Sequence, residues 1–282
     1  MPRIVSYTIY RDGDRPVTAD FHSPEKGLSA VPVLFLLHGF KGFKDWGHFP
    51  LAAEFLARAG FAVVRFNFSH NGTTPEQPFD FADLEAFGRN TFTRELEEVS
   101  EVIDDLWMRG DLHEFIDLER IGLIGHSRGG GIALLSAHAD KRVKAVASWA
   151  GVSNFEPRIN TPELEQWYRD GVSYIHNART NQQMPLYYSL REDFYRNKSR
   201  LDIPSAVRSL RIPQLIVQGT EDDAVDVSEA KQMKDWNEKA RLEIISGANH
   251  TFGGKHPWTS KELSPDMAKV LQATIAFFRE NL

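Results

Sequence analysis

The segment Gly125-His126-Ser127-Arg128-Gly129 sets a serine between glycines in the pattern G-x-S-x-G. A serine hydroxyl is a weak nucleophile at neutral pH and needs a base within hydrogen-bond reach. Imidazole suits because its pKa lies near working pH. A third group must then fix the imidazole tautomer and stabilise the imidazolium. By average residue usage the pattern arises by chance in about one chain in ten of this length, so its surroundings decide. Ile121-Gly122-Leu123-Ile124 leads in as a strand, and Gly130-Gly131-Ile132-Ala133-Leu134-Leu135 leads out as a helix. A strand-to-helix turn that sharp strains the serine backbone and needs glycine where side chains would collide. Ser127 is the expected nucleophile.

Of the ten histidines, His250 and His256 lie beyond the last expected strand. His250 sits in Gly247-Ala248-Asn249-His250, directly after that strand, and is the expected base. His256 precedes Pro257 and reads as a surface-loop residue. His126 points away from the serine by the geometry of the turn. His22, His48, His70, His113, His138 and His176 read as surface or packing residues, with no pair at metal-ligand spacing. The acid comes from Gln218-Gly219-Thr220-Glu221-Asp222-Asp223, after the strand Leu215-Ile216-Val217. Asp222 is preferred there, Asp223 is its main rival, and Glu221 and Asp226 also compete. An oxyanion needs backbone N–H donors aimed where charge develops. The N–H of Arg128 is one candidate. Phe40 in His38-Gly39-Phe40, after the strand Val33–Leu37, is the other, with His38 holding that loop.

These groups require elements to carry them. Short β-branched or aromatic runs alternate with stretches of helical period, as in a mostly parallel sheet covered by helices. Strands are expected at Ile4–Tyr10, Val17–His22, Val33–Leu37, Phe61–Phe66, Arg120–Gly125, Val143–Trp149, Pro213–Val217 and Leu242–Ile245, with a turn at Asp12-Gly13-Asp14. The clearest helix is 93–109: Leu96, Val99, Ile103 and Leu106 share a face, Thr93 caps it, and Glu95, Glu97 and Glu98 suit its positive end. Ser264-Pro265 opens the last helix. From Trp149 to Pro213 no strand run is evident, and Trp167, Tyr168, Tyr174, Tyr187, Tyr188, Phe194 and Tyr195 are concentrated there. A structureless loop of that length is uncommon in a compact domain. A helical insertion over the sheet is expected, its aromatics forming a small core of their own or lining a substrate pocket.

Composition removes several classes. The 282 residues are 41% hydrophobic and 26% charged, ordinary for a globular protein. A net charge of −6 and the lack of any Lys/Arg run argue against nucleic-acid binding. With no cysteine, disulfides, thiolate metal sites and cysteine nucleophiles are excluded. The start Met1-Pro2-Arg3-Ile4-Val5-Ser6-Tyr7 lacks the apolar stretch of a secretory signal, and Val31–Leu37 is too short to span a bilayer. The expected location is cytoplasmic.

Taken together, His38-Gly39-Phe40, the Ser127 turn, Gly219-x-x-Asp222-x-x-Val225 and the late His250 resemble the α/β-hydrolase superfamily over nearly the whole chain. In that family the acid and then the histidine follow the serine, and the G-x-x-D-x-x-V spacing carries the acid, which favours Asp222 over Asp223. The segment His38-Gly39-Phe40-Lys41-Gly42 and the insertion resemble bacterial cinnamoyl or feruloyl esterases and dienelactone-hydrolase-like proteins. Dienelactone hydrolases generally carry cysteine where Ser127 stands, and haloalkane dehalogenases aspartate, which argues against those two reactions. The resemblance implies an α/β-hydrolase core at 1–151 and 206–282 with a helical cap at 152–205. It implies a serine carboxylesterase with Ser127, Asp222 and His250 as triad and Phe40 and Arg128 as oxyanion donors, acting on a small or medium, hydroxycinnamoyl included, acyl ester. No cofactor or metal is expected, and no nucleic-acid or membrane partner; any homodimer would be weakly held. The alternatives are an acylaminopeptidase or amidase, separated by matched anilides, and a non-catalytic small-molecule binder, separated by a fluorophosphonate probe.

Overall fold

The computed structural model describes residues 3–11, 14–24, 30–112 and 116–282. His113 and the Asp12-Gly13 part of the expected first turn lie outside them. The chain opens with two antiparallel strands, β1 (Ile4–Ile9) and β2 (Val17–His22). Strands β3 (Val31–Leu37), β4 (Ala62–Phe66), β5 (Ile116–His126) and β6 (Val143–Trp149) follow. Between them come helices α1 (Phe49–Arg58), α2 (Leu84–Arg89), α3 (Phe92–Met108) and α4 (Arg128–Ala139). After the insertion come β9 (Gln214–Gly219), α8 (Val227–Trp236), β10 (Arg241–Ile245) and α9 (Pro265–Asn281).

The sheet runs β1-β2-β4-β3-β5-β6-β9-β10, with β2 antiparallel to both neighbours and every later pair parallel. Register aligns the carboxyl ends: Leu37 pairs with Gly125, His126 with Trp149, Trp149 with Val217, and Gly219 with Ile245. The loops that leave these strands therefore emerge along one edge, where ligands bind in open parallel sheets. Both faces are covered, which explains apolar strands without polar alternation. Val33, Phe35, Leu37, Ile121 and Leu123 join one core with residues of α3 and α4, while Leu34, Leu36, Ile124 and Trp149 join another with α1 and α9. Burying each such side chain contributes about 1.5–3 kcal/mol.

Helix α3 buries Leu96, Val99, Ile103 and Leu106, as its period requires. Its cap is Thr91 rather than Thr93: Thr91 is extended, and its hydroxyl accepts the N–H of Arg94, whereas Thr93 is already helical. Glu95 and Glu98 are not solvated charges at the helix start but buried groups bound to Arg128 and Arg11.

The insertion departs from the all-helical expectation for 152–205. It contains α5 (Leu164–Asp170), then β7 (Val172–Asn177) and β8 (Gln182–Tyr187) as an antiparallel hairpin, then α6 (Ser189–Arg196) and the start of α7 (Ile203–Ser209). Val172, Tyr174 and Ile175 favour a strand, but Pro185 and the polar residues around it hide the pattern. Pro185 is tolerated because β8 pairs only with β7, so the missing N–H is on a free edge. Trp167 and Phe194 are buried in the same core as the sheet and α3 rather than in a separate core of the insertion, with Phe194 edge-on to Phe92, whereas Tyr168 and Tyr174 are exposed.

Candidate active site

Ser127 joins β5 to α4 with φ +57° and ψ −121°, a region that costs a non-glycine residue about 1–3 kcal/mol. The surroundings hold it there: the Ser127 N–H donates to Trp149 O at 2.9 Å, and its carbonyl accepts the N–H groups of Gly130 at 2.9 Å and Val152 at 3.2 Å. Close approach accounts for the flanking glycines. A Cβ on Gly125 would lie 2.1 Å from Gly129 O, and one on Gly129 would lie 2.4 Å from His38 O. On Gly39 it would meet the Ser127 Cβ at 2.8 Å, so the loop after β3 is pressed against the serine.

His250 lies beyond β10, after a turn at Gly247. Its Nδ1 stands 2.9 Å from Asp222 Oδ2. The carboxylate must accept there, so the proton sits on Nδ1 and Nε2 is left as an acceptor. Asp222 is itself fixed from four directions. Its Oδ1 accepts the N–H groups of Ala224 at 2.9 Å and Val225 at 2.8 Å, and its Oδ2 also accepts from Gln218 Nε2 at 2.8 Å. Burial alone would raise its pKa, but the bond from His250 and the two backbone N–H groups outweigh that and hold the carboxyl below its ordinary range. Glu221, Asp223 and Asp226 are exposed, and Asp226 caps α8. Of the four acids considered from sequence, Asp222 alone meets His250.

Ser127 and His250 line one cavity of about 400 Å³, with Gly39, Phe40, Trp46 and Phe49 among its walls. No hydrogen bond joins the serine to the histidine among the described residues. Such contacts are often long without substrate. A larger groove of about 980 Å³ beside α3, α4 and α7 contains none of these residues. The aromatics of the insertion do not reach the catalytic cavity; Asn177 and Arg179 of the hairpin do.

Arg128 is the first residue of α4, so its N–H has no acceptor within the helix. Its side chain is largely enclosed, 13% exposed. The guanidinium lies 4.2 Å from the Phe40 ring centroid and 5.0 Å from that of Phe92, and 3.5 Å from Glu95 Oε1. One residue thus presents an N–H beside Ser127 and braces the loop that carries Phe40. His38 holds the same loop: Nδ1 bonds Gly39 O at 2.9 Å and Nε2 accepts the Phe68 N–H at 3.2 Å. Burial pushes the His38 pKa down to about 4, so it stays neutral for both bonds.

His126 has a part that its position in the motif did not disclose. Its Nε2 bonds the backbone carbonyl of His250 at 2.8 Å, tying the loop after β10 to the end of β5. Burial and then the charge of His250 push its pKa down to about 3, so neutral His126 donates that bond. From sequence Glu95 reads only as a helix-start charge, and Asn177 and Arg179 carry no signal, because their importance depends on the distant residues that fold against them. His256 is not a plain surface residue: it lines the cavity and stacks near Trp46 and Phe79.

Among the described residues, no cluster of three or more His, Cys, Asp or Glu is arranged to hold a metal ion, and no helix is long and apolar enough to cross a membrane.

Comparison with known proteins follows this geometry. An uncharacterized 31.7 kDa protein of the traX-finO intergenic region of Escherichia coli is 33% identical over 132 residues, covering 47% of this chain and 41% of that protein. The chain therefore spans less than half the length of that relative. Est1E from Butyrivibrio proteoclasticus, solved with ferulic acid bound, superposes with a TM-score of 0.70 at 20% identity, covering 98% of each chain. A dienelactone hydrolase from Anabaena variabilis superposes at 0.63 with 20% identity, covering 100% of this chain and 99% of that one. At such identities these two likenesses speak to fold. The alpha/beta hydrolase family model matches residues 34–259, which takes in Phe40, Ser127, Asp222 and His250, and the chain belongs to that family.

Proposed function

We propose that the chain is a serine-dependent carboxylic ester hydrolase acting through an acyl-enzyme on small or medium acyl esters, hydroxycinnamoyl esters included. The observation that carries this reading is the 2.9 Å contact between His250 Nδ1 and Asp222, with His250 and the strained Ser127 on the wall of one cavity. In the first half-reaction Ser127 Oγ attacks the ester carbonyl and its proton passes to His250 Nε2. The oxyanion is held by the N–H groups of Phe40 and Arg128. Collapse of the tetrahedral intermediate expels the alcohol, which takes the proton from His250. Water then repeats the sequence on the acyl-serine, releasing the acid and restoring the hydroxyl. Asp222 keeps the proton on Nδ1 throughout and stabilises the imidazolium.

A 400 Å³ cavity walled by Phe40, Trp46 and Phe49 suits a compact or planar acyl group. Ferulic acid in Est1E makes hydroxycinnamate esters the first planar substrates to try. The test is a panel of esters graded by acyl length, with hydroxycinnamates and matched anilides included. Turnover of esters in preference to anilides, lost in Ser127→Ala, is the expected result. No turnover and no fluorophosphonate labelling of Ser127 in folded protein would discard it.

A further inference from the structure

Beside its aromatic walls, the catalytic cavity is lined by several hydrogen-bond donors. Asn177 ends β7 and is 7% exposed. Its Oδ1 accepts the N–H of Arg179 at 3.3 Å, which orients the amide, while its buried Nδ2 has no partner. A buried amide donor calls for an acceptor. Arg179, in the turn after β7, also lines the cavity. Its guanidinium lies 5.7 Å from the Phe43 ring centroid and 5.6 Å from that of Phe81, which limits its freedom. Its carboxylate partner Asp80 is 3.4 Å away and 66% exposed, so that pair is screened by solvent.

Two cationic residues join them. Lys41 and Lys255 line the cavity and have no ion-pair partner among the described residues. His256 accepts the Gly47 N–H on Nδ1 at 3.0 Å, so its proton sits on Nε2. Among the described residues no Asp or Glu lines the cavity, although the chain carries 39 of them and a net charge of −6. A carboxylate offers the paired acceptors that an amide N–H and a guanidinium bind best.

We propose that the Ser127 cavity selects esters that themselves carry a carboxylate, bound by Asn177 Nδ2 and the Arg179 guanidinium of the β7–β8 hairpin, with Lys41 and Lys255 adding positive charge and neutral His256 a further donor. The proposal rests on the esterase reading and narrows its substrate class to monoanionic esters. The hairpin, absent from the sequence-based expectation, is then the part of the insertion that sets specificity.

Two matched pairs test it. Monoethyl adipate against ethyl hexanoate places the charge in the acyl half; 6-acetoxyhexanoate against hexyl acetate places it in the alcohol half. In at least one pair the anionic ester should have a kcat/KM higher by about tenfold or more, because a charge-assisted bond inside a cavity discriminates on that scale. The ratio of anionic to neutral kcat/KM should collapse in both Arg179→Gln and Asn177→Asp, with circular dichroism checking the fold of each. Fluorophosphonate labelling of Ser127 tests the underlying chemistry separately. A labelled, active enzyme that prefers neither anion, or whose preference survives both substitutions, overturns the carboxylate site and leaves the hydrolase standing. If Ser127 neither labels nor turns over ester, calorimetric titration with adipate decides the site alone: binding lost in Arg179→Gln upholds it, and absence of binding ends it.

Discussion

Asp222→Asn is the substitution whose outcome the structure specifies most fully. Oδ1 is committed to two backbone N–H donors, so the amide oxygen must take that place. The amide nitrogen then occupies the position of Oδ2, where it meets Gln218 Nε2 at 2.8 Å and His250 Nδ1 at 2.9 Å, both donors. His250 escapes by moving its proton from Nδ1 to Nε2, which removes the lone pair that takes the serine proton. The expected loss in kcat is about 10⁴-fold, or roughly 5.5 kcal/mol, the size seen when a serine triad holds the wrong tautomer. The donor of Gln218 left facing a donor should cost about 1–3 kcal/mol of stability.

The pH dependence has a definite sign. Native Asp222 has a depressed pKa, so its contribution is present above the unfolded carboxyl value of about 3.9 and is lost as pH falls through the lower folded value. Asn cannot titrate, so the stability gap between wild type and variant should narrow in acid below about pH 4. Stopped-flow or steady-state turnover of a chromogenic ester gives kcat, and thermal melts across pH give the gap. Exposed Asp223→Asn is the control and should behave as wild type. A variant at Asp222 that keeps more than about a tenth of wild-type kcat would refute the tautomer argument, since that loss is under roughly 1.4 kcal/mol.

Three further substitutions test other parts of the site. Ser127→Gly should abolish ester turnover yet raise stability by up to about 1–3 kcal/mol, because glycine occupies the φ +57° conformation without strain; a lower melting temperature would contradict that account. Gly39→Ala places a Cβ 2.8 Å from the Ser127 Cβ, and should lower kcat by about 10²-fold through displacement of the Phe40 loop, read by steady-state kinetics. His126→Phe keeps the volume but removes the donor to His250 O; kcat should fall by about tenfold because the base is displaced, and an unchanged kcat would count against it.

Much of this site is legible in sequence because its parts are local. The strand, the glycines and the helix around Ser127 all lie within one short segment, and the Asp222 and His250 loops each follow a recognisable strand. The order of these pieces along the chain identifies the fold and the family. What is hidden depends on contacts between segments far apart. Nothing near His126 announces that it bonds the carbonyl of His250, and nothing near Glu95 announces Arg128. The hairpin is hidden for a different reason. A two-stranded edge element needs little apolar alternation and tolerates Pro185, so its period-two signal is weak where its two donors, Asn177 and Arg179, bear on the cavity.

The placement of β10 has a consequence for how the protein fails. This strand is the outermost of its side, paired within the sheet to β9 alone, and mostly half-exposed or exposed along its length. The imidazole follows an edge strand, while the nucleophile is rooted in the middle of the sheet. Opening of a boundary element costs less free energy than global unfolding. Mild heat or denaturant should therefore silence the protein while its spectroscopic signature is still native, and cooling or dilution should restore it by re-zipping that one strand.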